Sequence, residues 1–255
     1  MKLLRQWRIA VMFYSRIPVG LIDNYQPEDL KMASRWLPLV GFILAVMLSA
    51  LWVGLVSLWP ASISLVLLFI VSVVLTGAFH EDGWADTWDG LGGGWKIQQK
   101  LDIMKDSRLG TYGGLSLMLL VLLKYQLWLV LSSQQFLLCL VASMVLSRFV
   151  PLALISQMTY VRDEDQSKVK PVADGLGASS FFVIALQFLL ISGLLLWLGM
   201  DLQLLVLIVV ALILVAVIWG VFSNWQIGGY TGDTLGASQQ LSELAVLLML
   251  VGYMV

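Results

Sequence analysis

Seven long apolar runs dominate this chain and leave it little choice of fold. They cover Trp36–Trp59, Ala61–Phe79, Gly114–Leu131, Phe136–Met158, Ser180–Leu198, Leu202–Phe222 and Thr234–Val255, the last weakened at its start by Ser238, Gln239, Gln240 and Glu243. About 20 apolar residues cross a hydrocarbon core, so each run is long enough to span. Inside lipid every backbone polar group must be satisfied within the protein, which leaves helices or a closed barrel. Continuous runs without period-2 alternation exclude the barrel. The chain is 60% hydrophobic and 12% charged over 255 residues, against about 25% charged in soluble domains. The expectation is an all-α, polytopic integral membrane bundle of about seven transmembrane helices. It forms one membrane-embedded domain over residues 1–255, with no room for a separate soluble domain and no nucleic-acid-binding surface.

Charge distribution sets the orientation. Lys2, Arg5, Arg8, Arg16, Lys31 and Arg35 precede the first span; Lys96, Lys100, Lys105 and Arg108 follow the second; Arg162, Lys168 and Lys170 follow the fourth. The intervening turns at Trp59-Pro60, Ser132–Gln135 and Met200-Asp201 hold no Lys or Arg. The positive-inside rule puts the N-terminus and all these basic loops in the cytoplasm and the C-terminus outside. Leu3–Ile17 mixes Arg5, Arg8 and Arg16 with Trp7, Ile9, Val11, Met12 and Phe13 and reads as an amphipathic interfacial helix rather than a cleavable signal. Gln98–Ser107 reads as a short cytoplasmic helix. The single cysteine, Cys139, lies in an apolar run and reads as a small core or lipid-facing residue.

Three polar clusters stand on that cytoplasmic side. The first, Phe79–Gly90, places four carboxylates within nine residues, and Asp82, Asp86 and Asp89 at i, i+4 and i+7. On a helix these three fall within an arc of about 60°. Like charges so close repel, and a hard divalent cation suits oxygen ligands, so the pattern points to a metal and a phosphorylated substrate. Gly83, Gly90 and Gly92-Gly93-Gly94 weaken a helix but let a phosphate or nucleotide approach bare backbone. His80, the only histidine, is either a ligand, a proton carrier or a residue that orients a neighbour. The second cluster, Lys105–Gly114, offers Asp106 as a further metal ligand, Arg108 as a planar fork for a phosphate, and the helix start Gly110-Thr111 as an anion site. The third, Gly228–Ala237, is a glycine-rich turn opening a helix, with Asp233 or Thr234 as N-cap. Within the spans, Lys124, Arg148 and Glu243 are costly charges expected to face the bundle interior. Arg148 either reaches toward a phosphate or pairs with Glu243, and Lys124 has snorkelling as its simplest role.

In these blocks (FHEDGWADTWDG, KDSRLGTYGG and GYTGDTLGA) the chain resembles the cobalamin synthase, or adenosylcobinamide-GDP ribazoletransferase, family. Ser15–Val19 and Leu37–Gly41 match more weakly. The order and spacing fit over essentially the whole chain. Gln240, where members often carry Glu, and Trp84, where they often carry Leu, depart from the pattern. The resemblance implies a Mg²⁺-dependent enzyme of the bacterial inner membrane with its active site facing the cytoplasm. Adenosylcobinamide-GDP and α-ribazole, or its 5′-phosphate, would be its substrates, membrane lipid its surroundings, and GMP its leaving group. Carried onto this chain, Asp82, Asp86 and Asp106 are the metal ligands. Asp89 completes that shell or takes a proton, Arg108 and Asp233 act on the reacting phosphates, and Gly92, Gly93, Gly110, Thr111 and Gly232 line the nucleotide. Homo-oligomerisation stays open. Two other readings remain: a CDP-alcohol phosphatidyltransferase, whose Asp-Gly-x-x-Ala-Arg pattern fails here at Asp86, and an ion-coupled transporter using Lys124, Arg148 and Glu243.

Overall fold

A computed structural model describes residues 2–26, 29–132, 135–162 and 177–254; Lys168 and Lys170, counted above among the cytoplasmic charges, lie outside them. Among the described residues every regular element is helical. The chain runs α1 (Lys2–Tyr14), α2 (Asp29–Ala33), a 3₁₀ turn (Ser34–Trp36) leading into α3 (Leu37–Val56), and α4 (Ala61–Thr76). Then come α5 (Phe79–Gly93), α6 (Ile97–Lys105), α7 (Thr111–Leu131), α8 (Phe136–Val141), a π-helical turn (Ala142–Leu146), α9 (Phe149–Gln157), α10 (Ala178–Trp197), α11 (Leu202–Ile227) and α12 (Gly232–Met254). Six helical stretches are long and apolar enough to cross a membrane, and α4 with α5 makes a seventh only as a pair bent by 87°. The helical membrane bundle expected from the apolar runs is therefore what forms.

Two of the runs are broken, and each break has a local cause. Between α4 and α5, Gly77 and Ala78 both adopt left-handed backbone (φ +66° and +57°). Two such residues in succession end one helix and turn the next. The Arg16 backbone N–H donates to Leu75 O at 2.6 Å, and the Arg16 side chain lies where a Cβ at Gly77 would stand. The second span therefore stops at Thr76, and the acidic motif forms a separate helix turned off it. The fourth run breaks at the π-helical turn, just ahead of Pro151, which has no N–H to continue an α-helical ladder. Arg148 N–H bonds to Val145 O at 3.1 Å, so Met144 O lacks its helical partner and takes the Arg148 guanidinium instead. A Cβ at Gly41 would stand 2.6 Å from Arg148 Cδ, so that glycine makes room for the side chain.

The N-terminal amphipathic segment is indeed a helix. It buries Ile9, Ala10, Val11 and Tyr14. Its arginines stitch down the chain that follows: Arg5 donates to Asp23 O and Asn24 O and pairs with Asp29 at 2.8 Å, and Arg8 donates to Val19 O and Leu21 O. The Gln98–Ser107 expectation appears as α6, and Cys139 is fully buried.

Two of the intramembrane charges, Lys124 and Glu243, share one network. Lys124 Nζ pairs with Glu243 Oε1 at 2.7 Å and donates to Gln240 Oε1 at 3.1 Å. Gln239 donates to Glu243 at 2.9 Å and to Ser147 at 3.1 Å, and Gln240 donates to Glu81 at 3.2 Å. Lys124 therefore does not snorkel, and Glu243 takes Lys124 rather than Arg148 as its partner. The chain of bonds ends on Glu81, next to Asp82, and so ties the acidic helix to the bundle interior.

Candidate active site

The acidic helix α5 is set in place by glycine. A Cβ at Gly83 would stand 2.9 Å from Asp233 O and 3.1 Å from Asp233 Cα, and one at Gly236 would stand 3.3 Å from Gly83 Cα. With no side chains between them, the backbones of α5 and the start of α12 touch. That crossing delivers Asp233 to the face of α5 that carries Asp82 and Asp86. On the other side of α5, Trp84 packs edge-on against Trp88, and Trp219 Nε1 donates to Thr234 O at 2.9 Å, holding the start of α12 from below.

The five motif aspartates divide by environment. Asp82 is exposed and Asp86 half-buried one turn along. Burial, with the negative charges of Asp233 and Asp82, pushes the Asp86 carboxyl up from 3.8 to about 7; Arg162 opposes this weakly. Asp233 pairs with the Arg162 guanidinium, which also donates to Met104 O at 3.1 Å. Asp233 is not the N-cap. Thr231 and Thr234 cap each other's backbone, with N–H to Oγ distances of 2.8 and 3.2 Å, which leaves the Asp233 carboxylate for Arg162.

Asp89 does something other than bind metal or take a proton. It is 6% exposed, and its two oxygens accept the backbone N–H groups of Gly110 and Gly113, each at 2.7 Å. It is the anion at the N-terminus of α7, the place that Gly110 and Thr111 were expected to offer a nucleotide phosphate. Helical periodicity gave Asp89 the right direction; what periodicity could not supply was that α7 covers that end of α5. Asp106 also stands apart. It accepts from the Arg108 backbone N–H at 3.0 Å and from Arg108 Nε at 2.9 Å, which holds its carboxyl below the usual range. Arg108 is 88% exposed, and Asp106 is not among the charges acting on Asp86. The expected triad of Asp82, Asp86 and Asp106 does not assemble, and among the described residues no three His, Cys, Asp or Glu side chains converge as a ready ligand set.

The glycines are mostly spoken for by the protein itself. Gly92 faces the ring of Tyr112, Gly110 and Gly113 face the Asp89 carboxylate, and Gly229 faces Thr159 O. Of the glycines expected at the nucleotide, Gly92, Gly93 and Gly110 are exposed and the helix-opening Gly232 is half-buried. His80 is buried against Phe79 at 5.3 Å and takes no part in the cluster.

Sequence reasoning missed Arg162. Its charge was used up in explaining orientation, and no motif surrounds it. The structure carries it to the cluster through a two-residue bridge: Val161 N–H donates to Tyr230 O at 3.1 Å, and Tyr230 N–H to Thr159 O at 2.9 Å.

Known proteins resemble this chain over nearly its whole length. A family model described as cobalamin-5-phosphate synthase matches residues 6–251. A protein of Shewanella frigidimarina called adenosylcobinamide-GDP ribazoletransferase is 43% identical over 95% of this chain and 92% of its own length. Proteins of the same name from Shewanella amazonensis (43% identical, 95% of this chain and 93% of its own) and Shewanella pealeana (44%, with the same shares) are equally similar. No solved structure matches.

Proposed function

The chain belongs to the cobalamin-5-phosphate synthase family, and from that premise we propose that it is an adenosylcobinamide-GDP ribazoletransferase. It joins adenosylcobinamide-GDP to α-ribazole or α-ribazole 5′-phosphate, the condensation that completes the cobamide nucleotide loop. The ribazole hydroxyl oxygen forms a bond to the corrinoid-side phosphorus. The bridging P–O bond breaks with its electron pair going to GMP, and the hydroxyl proton passes to solvent. The comparisons lend no support to a phospholipid enzyme or a transporter.

The observation that carries the site assignment is the convergence of Asp82, Asp86 and Asp233 at the Gly83–Gly236 crossing. A carboxylate pushed up to about 7 by burial first and by its anionic neighbours second marks a centre that a cation would stabilise. Two carboxylates one turn apart suit Mg²⁺, which takes one or two protein carboxylates and fills its shell with water and substrate phosphate. Asp82 and Asp86 would hold the ion, and Asp233 faces it from α12. When bound, Mg²⁺ neutralises charge on the diphosphate oxygens, the main source of rate in phosphoryl transfer. The residues themselves do the positioning. Asp89 fixes the α6–α7 connection against α5, and the Gln240–Glu81 bond sets the rotation of α5. Basic residues on the α5–α7 side support an inner-membrane orientation with this centre facing the cytoplasm.

The test is direct. Purified protein in detergent, given adenosylcobinamide-GDP, α-ribazole phosphate and Mg²⁺, is expected to release GMP. Asp82→Ala should lower turnover by about 100-fold or more while inserting normally. Near-normal turnover by that variant would remove the metal assignment, and no GMP from the unaltered protein would remove the reaction.

A further inference from the structure

A diphosphate ester is itself anionic, and a centre lined by Asp82, Asp86 and Asp233 repels it unless cations stand ready. The arginine expected to meet it, Arg108, is 88% exposed and folded back onto Asp106. Among the described residues, the one cation that acts on Asp86 is Arg162. Arg162 is also held unlike a surface arginine. Its side chain and that of Asp233 are each 17% exposed. Its contacts to Asp233 and to Met104 O both run through Nη2. Its Nε is buried with no acceptor among the described residues. A buried guanidinium N–H without a partner costs free energy, and with Nη2 taken by Asp233 and Met104 O the Nε–H is the charged donor left to meet a phosphate oxygen.

The backbone is arranged to put that guanidinium there. The Tyr160–Tyr230 bridge fixes the segment carrying Arg162 beside the turn that opens α12. A side chain at Gly229 would collide with Thr159 O and Val161, so the glycine of that motif serves the approach of this segment. Resting on the function proposed above, we propose that Arg162 is the substrate-binding arginine of the centre: its guanidinium, aimed by Asp233, takes the phosphate oxygens of a nucleoside diphosphate ester. Asp233 is then a positioning residue, and the described segment Met158–Arg162 borders the active site.

The experiment compares the unaltered protein with Arg162→Ala and Arg162→Lys, in detergent with Mg²⁺. Inorganic pyrophosphate is the direct probe, titrated by calorimetry, a readout that does not require turnover. Arg162→Ala is expected to bind it about 10- to 100-fold more weakly, and Arg162→Lys several-fold more weakly, since a point charge replaces a planar fork. In turnover, kcat/KM for adenosylcobinamide-GDP is expected to fall by a similar factor while KM for unphosphorylated α-ribazole holds. Added guanidinium should restore part of the activity of Arg162→Ala, which a purely structural loss would not allow. Unchanged pyrophosphate affinity in the lysine variant overturns the proposal even if the alanine variant does not survive extraction. So does a larger loss of pyrophosphate affinity from Arg108→Ala than from Arg162→Ala. If the unaltered protein binds pyrophosphate through Arg162 yet releases no GMP, the reaction fails and the arginine assignment stands.

Discussion

At the scale of single residues, four aspartates that look alike in sequence have become three different objects. Asp86 titrates near neutrality because burial and the charges of Asp233 and Asp82 disfavour its ionised form. The sign of the consequence follows from linkage. Between 3.8 and about 7 the metal-free folded chain keeps a proton that the unfolded chain has released, so stability falls as pH rises through that window and levels off above it. Melting temperatures in EDTA at pH 5.5 and 7.5 measure this, and Asp86→Asn is expected to flatten the difference. The same proton competes with a metal, so apparent Mg²⁺ affinity should drop about tenfold between pH 8 and pH 6; a pH-independent affinity would put the ion elsewhere. Asp89 serves the fold rather than the metal. Its carboxylate satisfies two backbone N–H groups, each such charged bond contributing about 1.5–3 kcal/mol. Asp89→Ala is expected to lower unfolding stability by about 3 kcal/mol or more, well beyond Asp82→Ala, whose side chain is exposed. Both roles share one spacing in the sequence. Only the neighbouring helices separate them, which is why Asp89 was misread and Asp106, closed on Arg108 two residues away, was assigned to a site it does not reach.

At the scale of elements, the spans were legible because long apolar runs allow nothing else in lipid. The breaks were not, since each depends on something outside the hydropathy. Gly77-Ala78 turns α5 off α4 through two left-handed residues, one of them an alanine that carries no such signal in sequence. The glycines of the motifs were legible as a requirement for bare backbone, but the approaching group proved to be the protein's own chain. Gly83 is the clearest case. A methyl there would stand 2.9 Å from Asp233 O and 3.1 Å from Asp233 Cα, atoms that cannot yield without moving α12. Gly83→Ala is expected to cost about 1–3 kcal/mol through overpacking, and to cut turnover further than that loss explains, because Asp233 moves with the backbone. Gly54 and Gly193 also lie within helices but have nothing within 4 Å of the added Cβ. Alanine at either should leave turnover unchanged and stability equal or slightly raised. Equal tolerance at all three positions, in paired melting and GMP-release measurements, would mean that the α5–α12 crossing does not set the site.

At the scale of the whole molecule, every group given a chemical role sits at one end of the bundle, and that end is defined by charge. Lys96, Lys100, Lys105 and Arg108 lie between α5 and α7, whereas the turn joining α10 to α11 offers only Asp201, whose carboxylate caps α11 by accepting from Gln203 N–H at 2.7 Å. On the function proposed above, a hard cation, a nucleotide and a soluble ribazole substrate would all arrive from water on that basic side. The protein supplies a clean way to check it. Its one cysteine, Cys139, is fully buried, so a membrane-impermeant maleimide should leave the unaltered chain unlabelled. A cysteine in place of Trp95, a side chain 93% exposed just beyond α5, is expected to label only after the membrane is opened. One in place of Asp201, at the opposite end of the spans, is expected to label in intact cells. Labelling of the Trp95 position from outside would put Asp82, Asp86 and Arg162 on the wrong side for substrates made in the cytoplasm. The charge rule and the chemistry of the site would then contradict each other, because a single rigid α5 carries both the exposed connection and the carboxylates.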